Sequence, residues 1–295
     1  MKMLVLINPI SGTGKQKGVA ELIKKTLDAD RFEIEIRETE YAGHAILLAK
    51  EASQNGFDIV VAVGGDGTVN EVAQGLLFSQ SSLAIIPCGS GNGFARHLGI
   101  SCNPKKAIHQ LNESVSASVD TLQINDFISI NVSGIGYDSY ISHIFAKMDS
   151  RGLSSYVKAI WSTYFSYKDR KYTLHIDGEK QNFDAFMVSF ANSSQFGNNA
   201  FIDPNASLQD GIFTVNVIKK PHLYEVPYLL FALFAKKLPS TRIYQSFRCK
   251  ECLIIQPENM LHVDGEPVVS DKELSIQLKN NSLKVMIPKN KVGVI

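Results

Sequence analysis

The sequence predicts an α/β protein of two unlike domains: a doubly wound first domain at residues 1–120 and an antiparallel β-sandwich at 121–287. Over the first domain, short apolar runs alternate with amphipathic segments, a pattern typical of a parallel sheet covered by helices. After residue 120, apolar runs follow one another with turn residues between them, which indicates antiparallel strands. The last residues, 288–295, are predicted to form a tail that could return to the first domain.

Strands and helices alternate in the predicted first domain. The strands lie at 3–7, 32–37, 58–63 and 83–86. The helices lie at about 15–27, 42–55, 68–78 and 104–112. Because parallel strands share one direction, their carboxyl ends meet at one edge of the sheet, where such folds bind their ligands.

The most informative turn is Gly64-Gly65-Asp66-Gly67-Thr68-Val69-Asn70-Glu71, which directly follows the apolar run 59–63. Glycine lets the backbone approach a ligand closely, and Thr68 and Glu71 have the spacing of a capping box that starts a helix. Free N–H groups at a helix start favour a bound anion. Asp66 would repel a phosphate unless a cation stands between them. The turn therefore predicts a nucleotide bound with Mg²⁺.

Two more glycine-rich turns follow predicted strands. One is Asn8-Pro9-Ile10-Ser11-Gly12-Thr13-Gly14-Lys15, and the other is Pro87-Cys88-Gly89-Ser90-Gly91-Asn92-Gly93. Neither is a P-loop, and neither has the spacing of a dinucleotide-binding fingerprint. Glycine also simply makes turns, so a domain without a ligand is the alternative. Three such turns at one sheet edge favour a binding site.

The second domain is predicted from closely spaced strands. Asn125-Asp126 is a hairpin turn between strands 119–124 and 127–132. Further strands are predicted at 172–176, 185–190, 212–218, 252–255, 261–263, 274–278 and 283–287. Two helical interruptions, at about 137–168 and 222–237, are rich in large apolar and aromatic residues.

Composition excludes several classes of function. The chain of 295 residues has 44% hydrophobic and 20% charged residues, which is ordinary for a globular protein. Its formal net charge of +1 gives no overall positive potential that would attract nucleic acid. No apolar run is long enough for a signal peptide or a membrane span. Cys249-Lys250-Glu251-Cys252 is a single C-x-x-C without the further ligands of a zinc site. We therefore expect a cytoplasmic protein with reduced core cysteines.

Together these motifs resemble the diacylglycerol kinase and sphingosine kinase superfamily of lipid kinases, in particular its soluble bacterial members. Gly-Gly-Asp-Gly-Thr alone is shared with NAD kinases and resembles the phosphofructokinase loop, but the Val69-Asn70-Glu71 that follows and the β-rich second half favour the lipid kinases. Further matching elements are Thr39 with Gly43-His44-Ala45, Gly134-Ile135-Gly136-Tyr137-Asp138, Ala191-Asn192, Leu208-Gln209-Asp210-Gly211 and Asp264-Gly265-Glu266-Pro267.

The resemblance implies a nucleotide-binding first domain of the phosphofructokinase and NAD kinase type, a lipid-substrate second domain, and ATP in the cleft between them. The ATP contacts that it implies are Asn8, Pro9, Ile10, Ser11, Gly12, Thr39, Gly65, Asp66, Gly67, Thr68, Val69, Asn70, Glu71 and Ser90. Soluble bacterial diacylglycerol kinases usually carry Asp where Gly93 stands here, which weakens the case for diacylglycerol itself as the acceptor.

Asp-Gly-Glu occurs twice, at 177–179 and at 264–266. Each copy follows a predicted strand and suits a hairpin tip, and residue patterns alone do not rank the two. The resemblance selects Glu266, which precedes Pro267, as the general base toward the lipid hydroxyl. By the same resemblance, Asp264 would help to place Glu266 or Mg²⁺, and Asp66 would complete the catalytic residues.

Asp210 is either an ordinary turn residue before Gly211 or a metal ligand. The resemblance implies a structural Mg²⁺ held by the Asp210 carboxylate and by the backbone carbonyls of Ser207 and Ile212. Such a set would suffice, since hydrated Mg²⁺ needs only one or two carboxylates.

From the residues and the resemblance we expect an ATP- and Mg²⁺-dependent lipid kinase that acts on diacylglycerol, a sphingoid base or a related lipid. It would contact the inner membrane face transiently and bind no nucleic acid. Whether it forms a homodimer is not determined by the sequence. The apolar stripes near Trp161 and at 224–237 are either core or an element resting on the membrane. The alternatives are an NAD-kinase-like or sugar-kinase-like phosphotransferase with a soluble acceptor, and a catalytically inactive lipid-binding regulator.

Overall fold

The computed structural model describes residues 1–295 except 11–15, 17, 147, 149–159, 177 and 294. The chain forms two compact units, of which the first comprises Met1–Thr121 with Asn280–Ile295 and the second Leu122–Lys279. The chain therefore passes from one unit to the other twice, within strand β5 (Ser114–Ile124) and within strand β18 (Glu273–Pro288).

The first unit is built on a parallel sheet. Its strands are β1 (Lys2–Ile7), β2 (Glu33–Glu38), β3 (Ile59–Gly64) and β4 (Ser82–Pro87). They lie in the order β2-β1-β3-β4, and residues 284–285 of β18 pair in parallel with β4. Strand β3 is buried along its whole length, which explains its continuous apolar sequence. The strand order reverses between β1 and β3, and doubly wound sheets bind ligands at such a point.

Helices connect and cover these strands. They are α1 (Val19–Thr26), α2 (His44–Gln54), α3 (Asp66–Leu76), α4 (Gly93–His97) and α5 (Pro104–Asn112). Helix α1 is amphipathic, and its Val19 and Ile23 pack in the same apolar cluster as Ile108 of α5. Asn103 caps α5, since its side chain accepts the N–H of Lys106 at 3.2 Å.

The second unit is an antiparallel β-sandwich. Its further strands are β6 (Phe127–Ser129), β7 (Val132–Gly136), β8 (Arg170–Ile176), β9 (Glu179–Ala185), β10 (Met187–Ala191), β11 (Gln195–Gly197), β12 (Ala200–Phe201), β13 (Phe213–Ile218), β14 (Tyr244–Cys249), β15 (Glu251–Ile255), β16 (Met260–Val263) and β17 (Glu266–Val269). Helices α6 (Tyr137–Ala146) and α7 (Val226–Phe234) accompany them. The predicted fold class, a doubly wound domain followed by an antiparallel β-sandwich, is confirmed.

Two sheets enclose the core of the second unit. One has the strand order β14-β13-β10-β7-β16-β17, and the other runs from the first half of β18 through β15 and β8 to β9. Apolar residues of both sheets form one buried cluster, in which Cys249 and Cys252 take part. In the described part of the chain, no helix combines the length and the hydropathy needed to cross a membrane.

Some elements differ from the prediction. The strands expected at 274–278 and 283–287 are one strand, β18, because the chain does not turn between them. Asn281 has a φ of 48°, and its N–H donates to the buried Asp120 carboxylate at 2.7 Å. The hydrogen bond to Asp120 stabilises the positive φ of Asn281 while the strand continues on both sides of it. The helix expected at 137–168 includes α6 and a helical stretch at 160–164, and most of the segment between them lies outside the described residues.

Candidate active site

The second and third glycine turns touch through their backbones. A Cβ on Gly89 would lie 2.7 Å from the Gly65 Cα, so a larger residue does not fit there. The Asp66 carboxylate also joins the two turns, because its oxygens accept the N–H groups of Asn92 at 2.8 Å and of Gly93 at 2.9 Å. Gly93 begins α4, whose first N–H groups have no partner within the helix. Asp66 therefore holds two turns in one arrangement.

Asn92 fixes the third turn, and sequence reasoning did not select it as a site residue. Its Oδ1 accepts the Gly89 N–H at 3.0 Å, and its Nδ2 donates to the Gly89 carbonyl at 2.8 Å. Its φ of 51° lies in the left-handed region, which Asn enters more readily than most residues. The sequence signal that could have identified this residue is the position of Asn92 between Gly91 and Gly93.

The first glycine turn meets the second through Asn8. Its Nδ2 donates to the Thr68 hydroxyl at 3.1 Å, and its Oδ1 accepts the Ile10 N–H at 3.1 Å. Of the predicted nucleotide contacts, Asn8, Gly65, Asp66 and Thr68 thus lie together at the carboxyl ends of β1 and β3. This is the point where the strand order reverses.

The other predicted nucleotide contacts are placed differently. Pro9 and Ser90 are exposed, whereas Thr39 is buried and its N–H donates to the Ile7 carbonyl at 2.9 Å. Gly67, Val69 and Asn70 lie in the first turns of α3, with the last two buried. Ser11 and Gly12 lie outside the described residues.

The predicted capping box of Thr68 and Glu71 is wrong. Helix α3 begins directly after its N-cap, Gly65, so Thr68 already lies within the first turn. The Glu71 carboxylate instead accepts the N–H groups of Gly43 at 2.9 Å and Ala45 at 3.3 Å. Its negative charge therefore stabilises the start of α2, where the helix dipole is positive.

The third turn leads into α4, which contains a buried imidazole. Burial, together with the nearby Lys291 cation, lowers the pKa of His97 to about 4. His97 is therefore neutral at physiological pH. No positive charge from this side chain acts on the glycine turns.

In the second unit, Asp264-Gly265 forms a two-residue hairpin turn between β16 and β17. Both residues have positive φ, 51° and 94°, as in a type I′ turn. The buried Asp264 carboxylate accepts the Ser129 hydroxyl at 2.6 Å and the N–H groups of Ile130 and Asn131, both at 2.9 Å. Asp264 is thus engaged with residues 129–131 and fixes the turn.

Glu266 is the exposed first residue of β17, paired with Val263 across the turn. The described residues of the other Asp-Gly-Glu copy are arranged similarly, because Ile176 pairs with Glu179 and Gly178 has a φ of 82°. Asp177 itself lies outside the described residues. The turn before Glu266 is anchored by the buried Asp264 carboxylate.

Asp210, the predicted metal ligand, forms an ion pair. Its Oδ2 lies 2.5 Å from Arg248 Nη2, and its Oδ1 accepts the Ile212 N–H at 3.3 Å. Ser207 precedes it in the same loop, where the Ser207 hydroxyl accepts the Gln209 N–H at 3.2 Å. Among the described residues no three His, Cys, Asp or Glu side chains group around a common point. A Mg²⁺ ion would thus compete with the Arg248 guanidinium for the single carboxylate.

Two family descriptions match the chain, one for each part. Residues 2–124 match the "Diacylglycerol kinase catalytic domain". Residues 131–287 match the "YegS C-terminal NAD kinase beta sandwich-like domain".

Individual proteins are similar over most of the chain. A diacylglycerol kinase of Bacillus subtilis is 30% identical over 275 residues, which cover 89% of this chain and 88% of that protein. A Chromohalobacter salexigens protein named "Probable lipid kinase YegS-like" is 28% identical, with 84% and 82% of the two chains covered. The crystal structure of a diacylglycerol kinase from Bacillus anthracis matches the fold with a TM-score of 0.73 at 22% identity, covering 98% of this chain and 97% of that one.

Proposed function

The chain belongs to the bacterial diacylglycerol kinase family and is a lipid kinase, and on that premise we propose that it transfers the γ-phosphoryl group of ATP to a hydroxyl of a membrane lipid. The observation that carries the proposal is the convergence of glycine turns at the β1/β3 edge, held together by Asp66. The start of α3 at this edge offers backbone N–H groups and the positive end of a helix dipole to phosphates.

Asp66 and the turns would bind the nucleotide as its Mg²⁺ complex. Asp66 accepts the N–H groups of Asn92 and Gly93, and we propose that it also accepts from water molecules of a hydrated cation, since an ionised carboxylate has about four acceptor positions. The ion would neutralise charge that develops on the transferred group. Asn8 and Thr68, joined by their own hydrogen bond, would keep the first two turns in place as the phosphates bind.

Glu266 would act as the general base. Its carboxylate would take the proton of the acceptor hydroxyl, whose oxygen would bond to the γ-phosphorus while the bond to the ADP oxygen breaks. An exposed position on a hairpin whose turn is anchored by Asp264 suits this role, since a bulky lipid headgroup must reach it. Diacylglycerol, a sphingoid base and a related lipid are all acceptors with a suitable hydroxyl.

Labelled ATP with a total lipid extract tests the proposal directly. We expect a phosphorylated lipid, identified by mass spectrometry, and formed only when ATP and Mg²⁺ are both present. Phosphorylation confined to water-soluble acceptors without vesicles or detergent would favour the soluble-acceptor phosphotransferase. A protein that binds lipid but consumes no ATP would be the inactive regulator.

A membrane contact is proposed at helix α7, which is apolar on all sides. Leu229 and Leu233 pack into the second unit, while the opposite side exposes Tyr228, Leu230, Phe231 and Phe234. An exposed apolar patch of this kind ordinarily marks an interaction surface. The Lys237 ammonium lies 5.9 Å from the Phe231 ring centroid, so a cation borders the patch. Apolar anchors beside a lysine suit an anionic lipid surface, where the acceptor resides.

We expect Phe234→Ser to weaken binding to vesicles that contain anionic phospholipid by about 1–3 kcal/mol, the scale of burying one large apolar side chain. Phe234 is 53% exposed and Trp161 47% exposed, so Trp161→Ser tests the neighbouring aromatic stripe in the same way. Co-sedimentation measures vesicle binding, and an ATP titration should be unchanged.

Leu47→Ser is the matched control, because Leu47 is an exposed apolar residue of α2 in the first unit. Wild-type vesicle binding in both the Phe234 and Trp161 variants would place the docking surface elsewhere. A wild-type protein that phosphorylates lipid without ever binding vesicles would remove the need for a docking surface.

The structural Mg²⁺ remains a proposal that thermal unfolding can test. We expect Asp210→Asn to abolish the rise in Tm that Mg²⁺ gives the wild type, because an ion that binds only the folded state stabilises it by linkage. Arg248→Gln is the matched variant: it removes the competing guanidinium and should enlarge the same rise. Identical responses to Mg²⁺ in all three proteins would leave Asp210 as a turn residue held by Arg248.

A further inference from the structure

A buried histidine lies beneath the turn that carries Glu266. The His262 Nδ1 lies 3.2 Å from the Gly265 backbone N, whose N–H donates to it. Because Nδ1 accepts, the proton of the neutral ring is on Nε2. The Nε2–H donates to the Asp138 Oδ2 at 3.0 Å. Both side chains are buried, with 2% of His262 and 9% of Asp138 exposed. A chain of hydrogen bonds therefore runs from Asp138 through His262 to the residue before Glu266.

Asp138 is itself oriented. It lies in the first turn of α6, and its Oδ1 accepts the Ser139 N–H at 2.8 Å. With Oδ1 so engaged, Oδ2 is the oxygen that faces the imidazole. The two carboxylate oxygens thus have separate functions, one toward the helix backbone and the other toward His262.

Gly134 of β7 leaves the space that this pair occupies. A Cβ there would lie 2.4 Å from the Asp138 Oδ2 and 3.1 Å from the His262 Nε2. Gly134 is opposite His262 in the register of β7 and β16. Three separate parts of the sequence therefore combine to place one imidazole nitrogen under the Gly265 peptide.

We propose that His262 and Asp138 are positioning residues for phosphoryl transfer: they hold the Gly265 peptide and thereby set where the Glu266 carboxylate lies. This inference rests on the proposed role of Glu266 as base. Asp264 anchors the turn to residues 129–131, and His262 anchors the following peptide from the other side. Misplacing a reacting group by about 1 Å can cost ~10²-fold in rate. Gly265 directly precedes Glu266, and because glycine is conformationally permissive, its peptide needs a restraint of this kind.

Asp138→Asn tests the inference with an almost isosteric change. The amide oxygen must remain on the Ser139 N–H, so the amide NH₂ takes the place of Oδ2 and faces the imidazole. His262 Nε2 must then accept, and the ring proton moves to Nδ1, where it opposes the Gly265 N–H. An aspartate-to-asparagine change that imposes the wrong histidine tautomer is known to disable a catalytic triad.

Three measurements follow from that argument. The ¹⁵N chemical shifts of the imidazole should report the Nε2–H tautomer in the wild type and the Nδ1–H tautomer in Asp138→Asn. Amide exchange at Gly265 should become faster in the variant. The kcat should fall ~10²-fold, the scale of a misplaced reacting group, while the KM for ATP stays unchanged because the proposed nucleotide contacts lie in the first unit.

Asp184→Asn is the matched control, since Asp184 is an exposed carboxylate on β9 of the same unit, and it should change none of these quantities. His262→Phe is a second variant: its ring offers no acceptor to the Gly265 N–H. It should therefore also speed Gly265 exchange and lower kcat, even if Asp138→Asn folds poorly.

The possible failures are distinguishable. Wild-type tautomer and wild-type Gly265 exchange in Asp138→Asn would overturn the positioning role whatever the activity. A kcat that falls only in proportion to lost folded protein would also overturn it. If the wild type phosphorylates no lipid, while the tautomer and exchange change as expected, the proposed function fails and the hydrogen-bond chain stands.

Discussion

Glu266→Gln is expected to lower kcat by ~10²–10⁴-fold, the range typical of a lost general base. Glutamine has nearly the size of glutamate but cannot accept the proton of the acceptor hydroxyl. Because Glu266 is exposed at the start of β17, the change removes no buried contact, and the Tm should stay at the wild-type value. Steady-state kinetics with a lipid acceptor and a thermal unfolding curve measure the two effects.

Glu179→Gln is a closely matched control. Glu179 follows an Asp-Gly pair in the sequence, is exposed, and begins a strand, as Glu266 does. It should leave kcat unchanged if the base is Glu266. A larger loss at Glu179 than at Glu266 in a side-by-side assay would refute the assignment.

Asp66→Asn is expected to lower kcat by about two orders of magnitude or more, a loss typical of a removed electrostatic contributor. The substitution deletes the negative charge proposed to face Mg²⁺. It also places an amide NH₂ against the N–H of either Asn92 or Gly93, both of which donate to the present carboxylate. The third turn should loosen while the sheet and helices persist, because the change is nearly isosteric. Kinetics at saturating ATP and Mg²⁺, with thermal unfolding alongside, measure this.

Asp58→Asn separates the site effect from a general loss of a carboxylate. The Asp58 Oδ2 also accepts a backbone N–H, that of Lys2 at 2.7 Å, but it precedes β3 whereas Asp66 follows that strand. For Asp58→Asn we expect a small loss of stability, like that expected from loosening the third turn in Asp66→Asn, but a normal kcat. Near-normal kcat in Asp66→Asn under the same conditions would contradict the role given to Asp66.

Local sequence patterns were sufficient for the fold class. The apolar run 59–63 predicts a strand buried on both faces, and β3 is buried throughout. Glycines placed directly after such runs predicted turns at one sheet edge, and the structure brings Gly65 and Gly89 into contact there. These features depend on residues close together in the chain, so periodicity and turn chemistry report them.

Local spacing failed where a polar side chain had a distant partner. Thr68 and Glu71 have capping-box spacing, yet Glu71 binds the N–H groups of Gly43 and Ala45. The two strands predicted around Asn281 are one, because the N–H of that residue meets the Asp120 carboxylate. The first of these errors came from assigning a polar side chain to a neighbour in sequence.

By itself, the sequence determined the alternation of strands and helices in the first domain, the glycine turns at the carboxyl ends of the parallel strands, and the hairpin tip at Asp264-Gly265. Only the tertiary structure decided that Asp66 joins two of those turns, that Asp210 pairs with Arg248, and that Asp138 reaches the turn of Glu266 through His262. The physical reason is range: a hydrogen bond requires its atoms to lie about 3 Å apart, and for residues far apart in the chain only the packing of sheets and helices sets that distance.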